Sequence, residues 1–179
     1  SALEVDVPPD GDVEVVVLLE GTQAGVTRRA AALGRLLGSG PRLRDVAPRW
    51  WAAYPWHNGG TGLKLTAALS GVPRLLAAAR AAGARHGVPV WVRGSAGTGV
   101  LYAGLPADAA PDAVALVVED VRGAAHDAGG YAVVLTAPAP VRDQVDLWGP
   151  VPGLDLMRRV KEQFDPDGRL APGRFVGGI

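Results

Sequence analysis

Between Val13 and Leu19 the chain is an almost unbroken aliphatic and β-branched run, ended by Glu20-Gly21, a pattern that predicts a strand buried on both faces. Val26, Ala30, Leu33 and Leu37 then share one helical face, and Gly38-Ser39-Gly40-Pro41 supplies the stop. Leu63, Leu65 and Ala67 alternate with Lys64 and Thr66, which predicts a half-exposed strand, and Val72, Leu75, Leu76 and Ala79 mark the next helix. Val88 to Arg93 and Val100 to Gly104 read as two strands joined by Gly94-Ser95-Ala96-Gly97-Thr98-Gly99. Pro111 opens a helix lined by Val114, Val117, Val118 and Val121 that closes at Gly129-Gly130, and Tyr131 to Thr136 forms a fifth strand. Pro138 to Pro152 is rich enough in turn residues to be an extended loop.

The order β-α-β-α-β-β-α-β-α predicts an α+β chain. Its core is ferredoxin-like: an antiparallel sheet with helices packed on one face, followed by a C-terminal helix and an extended tail. A doubly wound parallel sheet fits less well, because the short glycine-rich link is a hairpin connection that a parallel pair could not use. At 179 residues, with no linker dividing it, the chain is expected to be a single domain over 1–179. Residues 1–10 are expected to be a flexible or vector-derived lead.

Charge and composition narrow the function. Lys and Arg together equal Asp and Glu at 18 each, so no electrostatic footprint for nucleic acid or an anionic membrane exists. The absence of cysteine excludes disulfides, thiolate nucleophiles and thiolate metal sites. No run is apolar for long enough to span a bilayer, and a soluble, cytoplasmic domain is expected.

The Gly94–Gly99 segment has the spacing G-x-x-G-x-G and precedes a strand, so a hairpin needing positive φ explains it better than a phosphate loop before a helix. His57, His86 and His126 include no pair at metal-ligand spacing. His86 and His126, near helix ends, read as structural and facing water, whereas His57 lies in an aromatic loop and is a candidate site residue. That loop holds Trp50, Trp51, Tyr54 and Trp56, which reads either as a satellite core or as an interaction surface. No G-x-S-x-G elbow supports serine catalysis.

The C-terminal stretch carries the most specific signal. Leu154, Met157, Val160 and Phe164 recur at helical spacing, and Asp165-Pro166-Asp167-Gly168-Arg169-Leu170-Ala171-Pro172-Gly173-Arg174 then stops the helix and forces a turn-rich tail. This stretch resembles the Phe-Asp-Pro-x-Gly-x-x-Asn-Pro-Gly-(Lys/Arg) ending of FAD-linked oxidases of the vanillyl-alcohol-oxidase type, above all glycolate oxidase subunits, where it closes the C-terminal cap domain. Ala171 stands where that family usually has Asn. The hairpin run Ser95-Ala96-Gly97-Thr98-Gly99-Val100-Leu101-Tyr102 is similar to the family's His-x-Gly-Asp-Gly-Asn-x-His stretch, whose histidines help bind a divalent metal. The two glycines persist here, while Ser95 and Tyr102 stand at the histidine positions, Thr98 at the Asp and Val100 at the Asn. A hydroxyl or phenol competes poorly with neutral imidazole for such an ion, so the resemblance implies a hairpin of the same shape with no metal and no catalytic residue.

Taken together, the resemblance implies a cap domain most like that of the glycolate oxidase E subunit, serving 2-hydroxy-acid oxidation in a multi-subunit complex. Ser95, Thr98 and Tyr102 would face the substrate pocket, and Pro172, Gly173 and Arg174 would approach the cofactor. FAD would belong to the full-length parent, held by an N-terminal FAD-binding domain, and would not be retained by these residues alone. Implied partners are that domain, a catalytic flavin subunit and an iron-sulfur subunit, with any membrane association made through them. Nucleic acid and direct membrane insertion are not expected. Two other readings remain open: a self-standing ferredoxin-like module binding a small ligand or protein, and an enzyme with a non-metal acid-base pair.

Overall fold

The computed structural model describes residues 1–38 and 42–179. By its internal contacts the chain divides into two compact units, Ser1–Val145 and Asp146–Ile179, where the sequence reads as one.

The first unit is built on six strands: β1 (Ala2–Val7), β2 (Glu14–Leu18), β3 (Thr61–Thr66), β4 (Trp91–Ser95), β5 (Val100–Leu105) and β6 (Ala132–Thr136). They form one sheet in the order β2-β1-β4-β5-β3-β6, with every neighbouring pair antiparallel. Helices α1 (Gln23–Leu37), α2 (Val72–His86), α3 (Pro111–Asp127) and the short α4 (Ala139–Arg142) complete it. The run β3-α2-β4-β5-α3-β6 gives the strand order β4-β5-β3-β6, the ferredoxin-like arrangement, to which β1 and β2 add two strands at the β4 edge. The α+β, antiparallel expectation is met.

Hydrophobic alternation explains the core. Leu63 and Leu65, Val92, and Leu101, Ala103 and Leu105 point to one face of the sheet and are almost wholly buried. The valines of α3 at 114, 117, 118 and 121 and the Leu75, Ala79 and Ala82 stripe of α2 are buried with them, at the spacing a helix needs to present one apolar side. Pro111 and Pro73 stand in the first turns of their helices, where a missing N–H costs nothing. Gly87, at φ 68°, ends α2 in the left-handed conformation with its N–H on the Gly83 carbonyl.

Three expectations are corrected. The leading residues are not a flexible lead: β1 lies between β2 and β4, with Val5 and Val7 buried. The valine run of β2 is not buried on both faces, because β2 is the sheet edge and Val15 remains 52 % exposed. The stretch from Pro138 to Pro152 holds α4, whose Val141 is buried. Gly38 closes α1 at φ 73°, and the rest of the stop read there, Ser39-Gly40-Pro41, lies outside the described residues.

In the second unit α5 (Leu154–Phe164) follows Gly153, with Asp155 in its first turn and Lys161 in its last, as the helix dipole favours. No helix among the described residues is long and apolar enough to cross a membrane.

Candidate functional site

The β4–β5 hairpin is shaped by its glycines. Gly94 takes φ 140° and Gly99 φ 72°, both in the region where a side chain is strained. A Cβ at Gly94 would also stand 2.6 Å from the Val100 carbonyl oxygen. Between the strands, Thr98 turns back on Ser95, donating both its backbone N–H and its hydroxyl to the Ser95 carbonyl at 3.2 Å. The hairpin is thus a self-braced turn.

Because β4 buries Val92, the residues on either side of it, Trp91 and Arg93, and then Ser95, share the opposite face. The registers place Tyr102 across from Arg93, and Asp6 across from Arg93 on the other side. Arg93 Nε donates to Asp6 Oδ1 at 2.6 Å, with both side chains about four-fifths covered, so the arginine is fixed on its strand by a charge-assisted bond.

A strap from Trp50 to His57 crosses this face. Tyr54 stacks on Trp56 at 4.4 Å between ring centroids and meets Tyr102 edge-on at 4.9 Å. Trp50 Nε1 donates to Glu14 Oε2 at 2.6 Å. Gly62 and Gly104 are direct cross-strand partners, and they make a side-chain-free floor on which the strap rests. A Cβ at Gly62 would stand 2.5 Å from the Trp56 ring, and one at Gly104 2.4 Å from the Pro55 carbonyl oxygen. The aromatic cluster is therefore a satellite packing on this sheet face, with Tyr54 still 56 % exposed.

Two clefts flank the strap. Ser95, Thr98 and Tyr102 line the first, of about 430 Å³, together with Glu4, Trp50, Tyr54 and Arg93. Three side chains singled out in the sequence therefore converge on one cavity. The second, about 420 Å³, is lined by Tyr54, Trp56, His57, Trp91 and Arg93. Neither Arg93 nor Trp91 was a candidate from sequence, although the alternation that brings Ser95 to this face brings them too. His57 lies on the second cleft. His86 does not face water: its ring is 2.8 Å from Asp120 and largely covered, whereas His126 is exposed. The His86 hydrogen bond, with Arg85 beside it, holds Asp120 below the ordinary carboxylate range. Among the described residues no three His, Cys, Asp or Glu side chains are grouped to hold a metal ion.

In the second unit the tail is organised by Asp165. Its carboxylate, 8 % exposed, accepts from the Arg169 N–H at 2.8 Å, the Leu170 N–H at 2.9 Å and the Lys161 ammonium. Lys161 also donates to the Leu170 carbonyl, and Gly168, at φ 63°, donates its N–H to the Asp165 carbonyl. The Asp-Pro-x-Gly stretch thus ties the tail to the end of α5. The Lys161 hydrogen bond, then the Leu170 N–H, lowers the Asp165 pKa from its ordinary 3.8. A depressed carboxylate stabilises the knot above its unfolded pKa, and that stabilisation is lost as pH falls through the lower, folded value. Amide proton shifts of Arg169 and Leu170 followed by NMR should titrate together with a midpoint below 3.8, and Asp165→Asn should remove that titration and speed exchange of both amides. Pro172, Gly173 and Arg174 follow, with Gly173 at φ 74° and Arg174 N–H bonded to the Ala171 carbonyl at 3.1 Å. Arg174 lines an open groove with Leu156, Met157, Val160, Phe164 and Phe175.

A Cβ at Gly173 would meet nothing within 4 Å. The space beside Gly173 is open, so no cradle closes around it.

No curated protein matches this chain. Residues 148–175, the α5 helix and its tail, match the family described as FAD linked oxidases, C-terminal domain, which supports a C-terminal domain of an FAD-linked oxidase and implies FAD in the parent protein.

Proposed function

We propose that this chain is the cap domain of an FAD-linked oxidase subunit similar to the glycolate oxidase E subunit, serving 2-hydroxy-acid oxidation by covering the flavin. The reading is carried by one conjunction: the family match over the tail is joined by a hairpin whose Ser95, Thr98 and Tyr102 line a single cleft beside the aromatic strap. The cap would offer that cleft to the reaction and position substrate by hydroxyl groups. FAD, when bound in the parent, supplies the electron acceptor, and the parent's N-terminal domain would hold it. Pro172, Gly173 and Arg174 would touch it from the tail. A catalytic flavin subunit and an iron-sulfur subunit are the partners this reading implies.

Flavin absorbance measured after parallel purification tests it. The full-length gene product should retain FAD and residues 1–179 alone should not. Stoichiometric flavin on residues 1–179, or 2-hydroxy-acid turnover by them with added FAD and a dye acceptor, would overturn the assignment.

A further inference from the structure

We infer that the second cleft, between Trp91 and the strap, is a binding site for a small aromatic carboxylate, with Arg93 as its anion anchor and Trp91 as its stacking platform. The inference goes beyond the flavin reading and does not rest on it, since every residue involved lies in the first unit and none is a residue assigned to the substrate or the cofactor above.

Four observations carry it. First, the cleft's volume of about 420 Å³ falls in the range of small-molecule sites, roughly 300–1,000 Å³. Second, its walls are aromatic and cationic: Tyr54, Trp56, Trp91, His57 and Arg93 line it, and none of the described residues lining it is acidic. Glu4 lines only the first cleft, and Asp6 lines neither, so an anion near Arg93 is better tolerated on the Trp91 side. Third, Arg93 is pre-organised. Asp6 takes its Nε, and Nη1 is 3.4 Å from the Tyr54 carbonyl oxygen, which leaves Nη donor capacity for a carboxylate. A fixed guanidinium loses little rotamer entropy on binding. Fourth, the rings are unequally engaged. Trp56 is stacked by Tyr54 and its ring lies over Gly62, whereas Trp91 is 36 % exposed and has no ring partner among the described residues.

Strand geometry sets the ligand's shape. Trp91 and Arg93 are next neighbours on one face of β4, roughly 6.6 Å apart along the strand. A ring lying on Trp91 with a carboxylate on a short linker spans that interval. A bare carboxylate would use only the guanidinium, and an uncharged ring only the indole.

Phenylacetate is the probe. Titrated into residues 1–179, it should change tryptophan emission saturably, and isothermal calorimetry should give the same constant. Phenylacetamide, which has the ring without the charge, and acetate, which has the charge without the ring, should each bind at least about tenfold more weakly, the loss expected for one charge-assisted contact or one stacking contact. Arg93→Gln should lose at least about tenfold in phenylacetate affinity, with phenylacetamide unaffected. If that variant unfolds because Asp6 is left unpaired, Asp6→Asn combined with Arg93→Gln removes the orphan charge and carries the same expectation. Trp91→Ala should lose both the affinity and most of the emission change. Equal affinity of wild-type protein for phenylacetate and phenylacetamide overturns the anchor, and the absence of a saturable response to phenylacetate overturns the site.

Discussion

Replacing Gly99 by alanine should cost about 3 kcal/mol of stability, the sum of two independent penalties at one position. The first is conformational: Gly99 sits at φ 72°, where a side chain costs roughly 1–2 kcal/mol. The second is steric, because a Cβ there would stand 2.1 Å from the Ala67 carbonyl oxygen. That contact involves backbone on both sides, so no rotamer change relieves it, and overpacking of this kind costs roughly 1–3 kcal/mol. The Gly99 carbonyl also accepts the Ala67 N–H at 2.9 Å, so moving either strand end loses a bond that ties the hairpin to β3. For a chain of this length the melting temperature should fall by roughly 6–12 °C. Gly123→Ala is the matched control: Gly123 lies within α3 with nothing within 4 Å of a Cβ, and it should stabilise by about 0.5–1 kcal/mol. Thermal unfolding of the two variants side by side reads both signs, and a destabilisation of Gly99→Ala no larger than that of an exposed surface change would mean the hairpin is not held as described.

How much of this could be read from residues alone depends on the range of the interaction. Helices α2, α3 and α5 were legible because their stripes, such as Val114, Val117, Val118 and Val121, repeat within one element. The β4–β5 pair was legible because Gly94 and Gly99 announce a hairpin and fix which strands are neighbours. Position within the sheet was not. The valines of β2 report a preference for extended structure, which is the same at an edge and at a centre, and only the assembled sheet shows that β2 has one neighbour. The alternation of Glu4, Val5, Asp6 and Val7 in β1 is present but short, and it stands ahead of the first long aliphatic run at Val13, where the first strand is read. Once β1 is misplaced, the partner of Arg93 vanishes, since Asp6 is separated from it by most of the first unit's sequence.

The site divides the same way. Ser95, Thr98 and Tyr102 lie within one hairpin, so local spacing sufficed to bring them together. The aromatic strap did not disclose its role, because what seats it is a pair of glycines on two strands whose registration no local pattern encodes. Asp165 is a third case. Its turn was legible from Pro166 and Gly168, but its part in gathering Arg169, Leu170 and Lys161 needs the chain's path after the turn.

The glycine floor gives the second large expectation. Gly104→Ala would place a methyl 2.4 Å from the Pro55 carbonyl oxygen and 2.8 Å from the Trp56 nitrogen, and Gly62→Ala would place one 2.5 Å from the Trp56 ring. Neither obstacle is the free end of a flexible chain. One is backbone, and the other is a ring stacked beneath Tyr54. Each substitution should therefore lift the strap, at a cost of roughly 1–3 kcal/mol, and should raise quenching of tryptophan emission by acrylamide as Trp56 becomes accessible. Because both methyls displace the same strap, the double variant should cost clearly less than the sum of the two single ones, a coupling that independent sites would not show. Additive losses with unchanged quenching would mean that the strap does not rest on this floor. Coupled losses would tie the walls of both clefts to two residues that have no side chain, and phenylacetate affinity should then fall in both variants, although Gly62 does not line the second cleft and Gly104 brings only backbone to it.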